Sequence, residues 1–386
     1  MDAELAIVGG GLAGLALANA VRGASATLLA AEDAAPAAPA QGFDARVYAL
    51  TPGNVAFLES IGAWRRVPPA RVAPVRAMRV FGDAAGAGIE FDAYRAGTDA
   101  LAWIVEDWAL HAALRGALVD AGRAALRAGA RVDGLDVGAS YASLRLQGGR
   151  TLRARLVVAA DGAQSAVRAL AGIEVEQRPY PQRAVVANFA CARPHGDVAF
   201  QWFQGGPVLA LLPLPEGQAS MVWSTDEAHA ARLQALAPAA LAREVAQASG
   251  ARLGELELRS AVRAFPLQRL SSRRSVAPRV ALVGDAAHVI HPLAGQGANL
   301  GLQDARCLAG VLERRETGRD PGDPRLLRRY ERARAEDVLA MQATVHGLWR
   351  LFGAQGAGWS RLRNFGLNLT DRLPVVKNLL IRRAMA

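Results

Sequence analysis

The sequence predicts a mixed α/β (α+β) protein. A Rossmann-type domain would be joined to a second, antiparallel-sheet domain and a set of C-terminal helices. Three observations predict it. The chain opens with a short apolar strand at Glu4 to Val8, the glycine run GGGLAG at Gly9 to Gly14, a helical stretch from Leu15 to Arg22 and a second strand from Ala26 to Ala30. Two later apolar strands, Leu152 to Ala159 and Arg279 to Val283, run into acid-and-glycine turns, ADGAQSAVR and GDAAHVIHPLAGQGANLGLQDA. Between them, from Val185 to Ser224, the texture changes to short Val-, Phe- and Trp-rich runs separated by turn residues, the pattern of an antiparallel sheet.

Size and composition narrow the function. With 386 residues and 52% hydrophobic content the chain can bury two cores. Cys191 and Cys307 have no CxxC neighbour, which argues against a disulfide framework or a zinc site and fits a reducing compartment. His288 and His291 are three apart with no third ligand in view, so no metal is expected. The amino terminus carries no basic n-region. Leu5 to Val21 is apolar, but its glycines suit a buried βα unit better than a membrane span. The net charge of +10 first suggests nucleic acid, yet seven basic residues and one acid fall between Gln342 and Ala386, and Lys377 is the only lysine. A composition bias toward arginine accounts for that pattern, and nucleic-acid binding is not expected.

The remaining elements follow in order. Thr51-Pro52 starts a helix that runs to Ile61 and closes at Gly62. Val75 to Phe81 and Ile89 to Phe91 read as a hairpin, and Ala102 to Leu118 as a helix carrying Glu106 and Asp107. Ala130 to Val137 and Tyr141 to Leu146 are strands. Ala228 to Ser249 is helical, Glu255 to Phe265 extended, and Pro324 to Leu351 a charged helix. Trp202, Phe203, Leu211 and Trp223 are candidates to line a substrate pocket, although strand alternation sends some of them to the opposite face.

The turns carry the chemistry. Gly9, Gly11 and Gly14 have the GxGxxG spacing that lets a diphosphate approach a helix N-terminus. Glu32 is the acid about 20 residues on for a ribose, set back from its strand by Ala30 and Ala31. Asp285 can accept hydrogen bonds from sugar hydroxyls. Gly295 and Gly297 would let the backbone press on a planar ring, and the helix that follows, from about Asn299, aims a positive dipole end at it. Asp161 and Gly162 repeat the acid-glycine pattern. Arg46 is either a solvated arginine or a charge at the edge of the bound group. No Ser/His/Asp or Cys/His triad stands out.

The three motifs, with GFDARVYAL, LAWIVEDWALHAAL and GPVLALLPLPEGQASMVWS, resemble the class A flavoprotein aromatic hydroxylases, the para-hydroxybenzoate hydroxylase fold. Within that group the chain is most similar to the ubiquinone-biosynthesis hydroxylases of the 2-polyprenyl-6-methoxyphenol type. The resemblance implies FAD as cofactor and NAD(P)H as co-substrate, with a hydroxyl passed from O2 by way of flavin C4a to a polyprenylated phenol. It implies that Gly9, Gly11 and Gly14 hold the diphosphate with Arg46 nearby, and that Asp285 binds the ribityl chain. Gly295, Gly297 and Asn299 would border the flavin ring, Asp161 and Gly162 serve both nucleotides, and Pro292 lie by the ring with His291 before it. His291 has two readings, a structural hydrogen bond or a role in deprotonating the phenol. Asp107 is left out of the set because an acid there would repel a diphosphate.

The expected domains are 1–72, 98–180 and 268–312 for FAD, 73–97 and 181–267 for substrate, and 313–386 for the C-terminal helices. The expected location is cytoplasmic, peripheral on the inner membrane in one reading. The basic amphipathic tail has three readings: a lipid contact, a helix packed on the FAD domain, or a docking face for other proteins of a ubiquinone-biosynthesis complex. The rival functions are a hydroxylase of soluble aromatics, a halogenase or prenyl-chain reductase on the same scaffold, and a non-catalytic flavin-binding subunit.

Overall fold

A computed structural model describes residues 1–31, 36–82, 87–291 and 296–353. The first layer is a sheet whose central strands, Ala3–Val8, Ala26–Leu29, Thr151–Ala159, Ala124–Arg127 and Val280–Leu282, are parallel. Ala3–Val8, Ala26–Leu29 and Val280–Leu282 are short, apolar and buried on both faces, as a parallel sheet requires. Helices Leu12–Ala20, Asp107–Ala121 and Gly297–Glu313 cover one face, packing Leu15, Leu110 and Leu308 on Leu5, Ile7 and Val158. The other face is covered by the antiparallel pair Val132–Val137 and Ala142–Leu146 and the short helix Ala166–Leu170. Leu5 to Val21 thus divides into a strand and a helix. Among the described residues no helix is long and apolar enough to cross a membrane.

The second layer is a nine-stranded sheet. Its core strand, Val175–Cys191, pairs antiparallel with Arg263–Ser272 on one side and Gln218–Thr225 on the other. Val208–Pro213 and Val198–Phe203 continue it, then Ala77–Phe81 and Gly88–Asp92. The sheet is not wholly antiparallel: Val198–Phe203 runs parallel to Ala77–Phe81. A small antiparallel sheet of Val47–Leu50, Ala102–Glu106 and Val72–Val75 links the two layers.

Some expected elements divide differently. The helix expected from Ala102 begins only at Asp107, since Ala102–Glu106 is a central strand of the small sheet. Its Trp, Ile and Val fit a strand, but they continue without a break into the apolar helix, which hid the boundary. The helix expected over Ala228 to Ser249 is two, Glu227–Ala235 and Pro238–Ala248. Pro238 starts the second, and the residue before a proline is held out of the helical region. The basic tail beyond 353 lies outside the described residues.

Helix Pro324–Gly353 closes the structure against the parallel sheet. Tyr330 on it is fully buried, and its hydroxyl donates to the Leu282 carbonyl at 2.7 Å. Tyr330→Phe keeps the ring packing and orphans that carbonyl. The expected cost is about 1–2 kcal/mol, read as a lower urea midpoint at unchanged m-value; an unshifted midpoint would show that the bond contributes nothing.

Candidate dinucleotide site

The three motif turns meet at one edge. Val8 pairs with Ala159, and Ala159 with Leu282, so Gly9, Asp161 and Gly284 leave the parallel sheet side by side. Two glycines of the first turn are required by this packing. A Cβ on Gly9, where φ is +120°, would lie 2.1 Å from the Ala160 carbonyl oxygen, and one on Gly14 would lie 2.0 Å from the Gly9 oxygen. Gly284 and Gly301 are less crowded: a Cβ on Gly284 would lie 3.1 Å from the Ala13 Cβ, and one on Gly301 3.3 Å from the Gly284 Cα. Gly11 and Gly297 differ: a Cβ on either meets nothing within 4 Å. Internal packing therefore does not account for those two glycines, and they border open space.

Helix N-termini point into that space. Helix Leu12–Ala20 leaves one parallel strand and helix Asp107–Ala121 feeds another, so the two run parallel. Asn19 joins them by donating to the Leu114 carbonyl at 3.0 Å, and Arg123 donates to the Asn19 carbonyl at 2.6 Å. Both helices start at the edge where the turns meet, as does Gly297–Glu313. None of the three has a side-chain N-cap, in contrast to helix Pro52–Ser60, capped by Thr51. Uncapped N–H groups with a positive dipole end form an anion site.

Asp285 stands on the third turn. It keeps accessible surface, yet surrounding protein atoms raise its carboxyl above the ordinary value, against the pull of His288 and Arg46. Accessibility together with desolvation describes the wall of a recess. The turn is fixed from behind by the buried carboxylate of Asp304. One of its oxygens accepts from the Gly284 N–H at 2.9 Å and pairs with His288 Nε2 at 2.7 Å. The other accepts from Arg334 Nε at 2.7 Å. Burial alone would raise Asp304, but His288 and Arg334 outweigh it and hold the carboxyl low. Asp304 in turn overcomes the burial of His288 and raises its pKa. Arg168 ties the second turn to the third, donating to the Ala286 carbonyl at 2.9 Å and the Ala163 carbonyl at 2.8 Å. Sequence reasoning missed Asp304, Arg334 and this role of Arg168; the DA that closes the third motif was the available signal.

Arg46 lies within electrostatic reach of Asp285. Its side chain is 57% exposed and 3.6 Å from Asp107, and its guanidinium lies 5.7 Å from the Tyr48 ring centroid. Buried partners fix the backbone just before it. Asn188, from the second sheet, donates to the Phe43 and Asp44 carbonyls at 2.8 and 2.9 Å. Glu106 Oε1 accepts from the Asp44 N–H, and Arg71 donates to the Gly42 carbonyl at 2.7 Å.

Other expected site residues are committed to the protein. Asn299 is fully buried; its oxygen accepts from the Thr51 N–H at 3.0 Å and its amide donates to the Ala49 carbonyl at 2.8 Å, so the side chain joins its helix to the helix at Pro52. Asp161 accepts from the Ser165 hydroxyl and from the Val167 N–H, which organises its own turn, while Gly162 takes φ +83°. His291 is buried, with Nε2 3.1 Å from Gln182 Oε1 and its ring edge-on to Tyr180. Glu32, Pro292 and Gly295 lie outside the described residues. Of the pocket candidates, Leu211 and Trp223 are core under helices 227–235 and 238–248, and Trp202 packs half-buried against the same cluster. Phe203 points to the other face, the side from which Asn188 and Tyr180 reach the recess.

Residues 2–344 match the family described as FAD binding domain. The 3-demethoxyubiquinol 3-hydroxylase of Escherichia coli (strain K12) is 35% identical over 99% of this chain and 98% of its own. Ubiquinone hydroxylase UbiL of Rhodospirillum rubrum is 34% identical over 99% of this chain and 89% of its own. The crystal structure of pqsL, a probable FAD-dependent monooxygenase from Pseudomonas aeruginosa, superposes with TM-score 0.77 at 25% identity, covering 95% of this chain and all of that one. p-Nitrophenol 4-monooxygenase PnpA from Pseudomonas putida DLL-E4 has the same fold, with TM-score 0.79 at 19% identity over 99% of this chain and 98% of that one.

Burial pushes His291 down to about 4, against about 6.5 in an unfolded chain. Between those values the unfolded state binds the extra proton, so stability falls as pH drops from about 6.5 toward about 4. His291→Asn should flatten that loss by an amount on the order of 3 kcal/mol, measured by urea unfolding across the window. Parallel pH profiles for the parent and variant would refute the assignment.

Proposed function

The chain belongs to the FAD binding domain family, and from that premise we propose that it hydroxylates the ring of a polyprenylated phenol in ubiquinone biosynthesis, using NAD(P)H and O2. One observation carries the reading: the turns at Gly9–Gly14, Asp161–Gly162 and Gly284–Asp285 converge at one sheet edge, in a chain that matches ubiquinone-ring hydroxylases along its whole length.

The residues fit FAD. Gly11 faces open space at an uncapped helix N-terminus, which suits a diphosphate, and Arg46 supplies positive charge across the recess. Asp285, kept on the recess wall by Asp304, accepts from ribityl hydroxyls. Gly297 opens the backbone to a flat ring, and its helix directs a positive end there. By resemblance Glu32 takes the ribose, and Pro292, Gly295 and Asn299 the ring; Asn299 does so by setting the backbone, since its side chain is occupied.

Bound FAD supplies hydride acceptance and O2 activation. The protein positions, desolvates and stabilises charge. His291 sits where the second sheet meets the third motif. A conjugate acid of pKa about 4 holds no proton at neutral pH, so His291 orients Gln182 and a phenol rather than storing a proton. The sheet face bearing Phe203 forms the floor of the ring pocket. The expected location is the cytoplasm, with peripheral contact to the inner membrane as the reading that suits so apolar a substrate.

Two measurements test this. Gly11→Ala is compatible with the backbone there, at φ −75°, and should leave the cofactor-free chain as stable as the parent, yet weaken FAD binding by about tenfold or more. Unchanged affinity would remove Gly11 from the site. In a substrate panel, O2 uptake and NAD(P)H oxidation should couple to product with polyprenyl phenols. Coupling only with soluble phenols would favour the rival hydroxylase, and bound FAD that no nicotinamide reduces would favour the non-catalytic subunit.

A further inference from the structure

One charge in the recess is not used by the reading above. Asp107 is the first residue of helix Asp107–Ala121, whose N-terminus lies beside that of the glycine-turn helix. It is 4% exposed, and Tyr48 fixes it by donating its hydroxyl to Oδ1 at 2.9 Å. His111 Nε2 stands 3.6 Å from the same oxygen. The other oxygen faces Arg46 Nη1 at 3.6 Å, within ion-pair range but beyond a good hydrogen bond. Arg46 and Tyr48 lie within electrostatic reach of both Asp107 and Asp285. The cation offered to a diphosphate therefore already has an anionic neighbour, held rigidly on the same wall.

We propose that Asp107 sets the affinity of this chain for its cofactor: its carboxylate acts as a built-in counter-anion to Arg46 and keeps FAD binding weaker than the rest of the site would give. The inference rests on the FAD reading of the recess. The geometry favours it over a role in aiming Arg46. A residue that aimed the guanidinium would grip it in a short, bidentate pair, whereas the contact is long and Arg46 stays more than half exposed. Glu106 and Asp44 do not substitute for it, because Glu106 is spent on the Asp44 N–H and on Arg71, and Asp44 Oδ1 accepts from the Arg46 backbone N–H at 3.1 Å. A cell could then hold the chain partly cofactor-free, with occupancy following the FAD supply.

The test is FAD titration of cofactor-free full-length protein, followed by flavin fluorescence, for the parent, Asp107→Asn and Asp107→Ser. Asparagine keeps the acceptor for Tyr48, and serine suits a helix N-terminus, so either variant can report if the other fails to fold. A carboxylate within about 8 Å of a diphosphate, at effective dielectrics from about 20 to about 80, shifts affinity by about three- to thirtyfold. Both variants should bind FAD more tightly by that factor, and the gain should shrink as salt rises from about 0.05 to about 0.5 M. Structural damage weakens binding, so the direction separates the two explanations. Equal or weaker binding in the variants, while the parent still takes up FAD, overturns the proposal and leaves the cofactor reading intact. No FAD uptake by any of the three overturns the cofactor reading and the proposal with it.

Discussion

Register between three parallel strands is the constraint on which the site depends. Residues about 150 and 280 positions apart are brought level with the first turn because Val8, Ala159 and Leu282 are neighbours across the sheet. A slip of one residue in any strand would turn its buried side chains to the wrong face and move its turn along the edge by one strand step. The continuous apolar strands resist that slip only through packing on both faces, which is why the helical layer and the strand-pair layer both matter to where the turns lie. The edge is also where the N-termini of the covering helices fall, since each helix runs back against the strands. A place for an anion follows from the topology before any polar side chain is added.

Buried carboxylates then arrange the backbone. Asp304 holds the third turn, Asp161 its own turn, and Glu106 the segment leading to Arg46. Placing such groups in the interior is costly unless each is paired and hydrogen-bonded; buried Asp304 and Glu106 have both, and half-buried Asp161 is hydrogen-bonded by Ser165 and Val167. Asn188 and Asn299 make the long connections, from the second sheet to residues 43–44 and from the third motif to the helix at Pro52. Most polar side chains near the three turns thus face the protein, while Arg46 and Asp285 keep accessible surface. The turns themselves are rigid, because the hydrogen bonds that hold them join elements of the fold.

The glycine fingerprint, the strand-ending acids and the helix at Gly297 were legible because each is local: a turn needs glycine, a strand is a short apolar run, and a helix start has its own signature. The strand Ala102–Glu106 was not, since its apolar residues continue without a break into helix Asp107–Ala121. Partners far apart in the chain were invisible for a different reason. Nothing near Asp304 announces Arg334, and nothing near Asn188 announces Phe43. The pocket candidates show the limit of composition: Trp202 and Trp223 are large and apolar, yet strand alternation sends both to the helical layer. Asp107 was legible as an anomaly of charge, and only the fold shows Arg46 and Tyr48 beside it.

The order in which the ribosome releases these parts has its own significance. The fingerprint at Gly9–Gly14 emerges well before the turn at Gly284 and the arginine that secures its carboxylate, Arg334. A nascent chain therefore has half of a nucleotide cradle long before it can close the other half. Until the later turns and Arg334 have emerged, the edge of the first sheet stands open to wrong pairing.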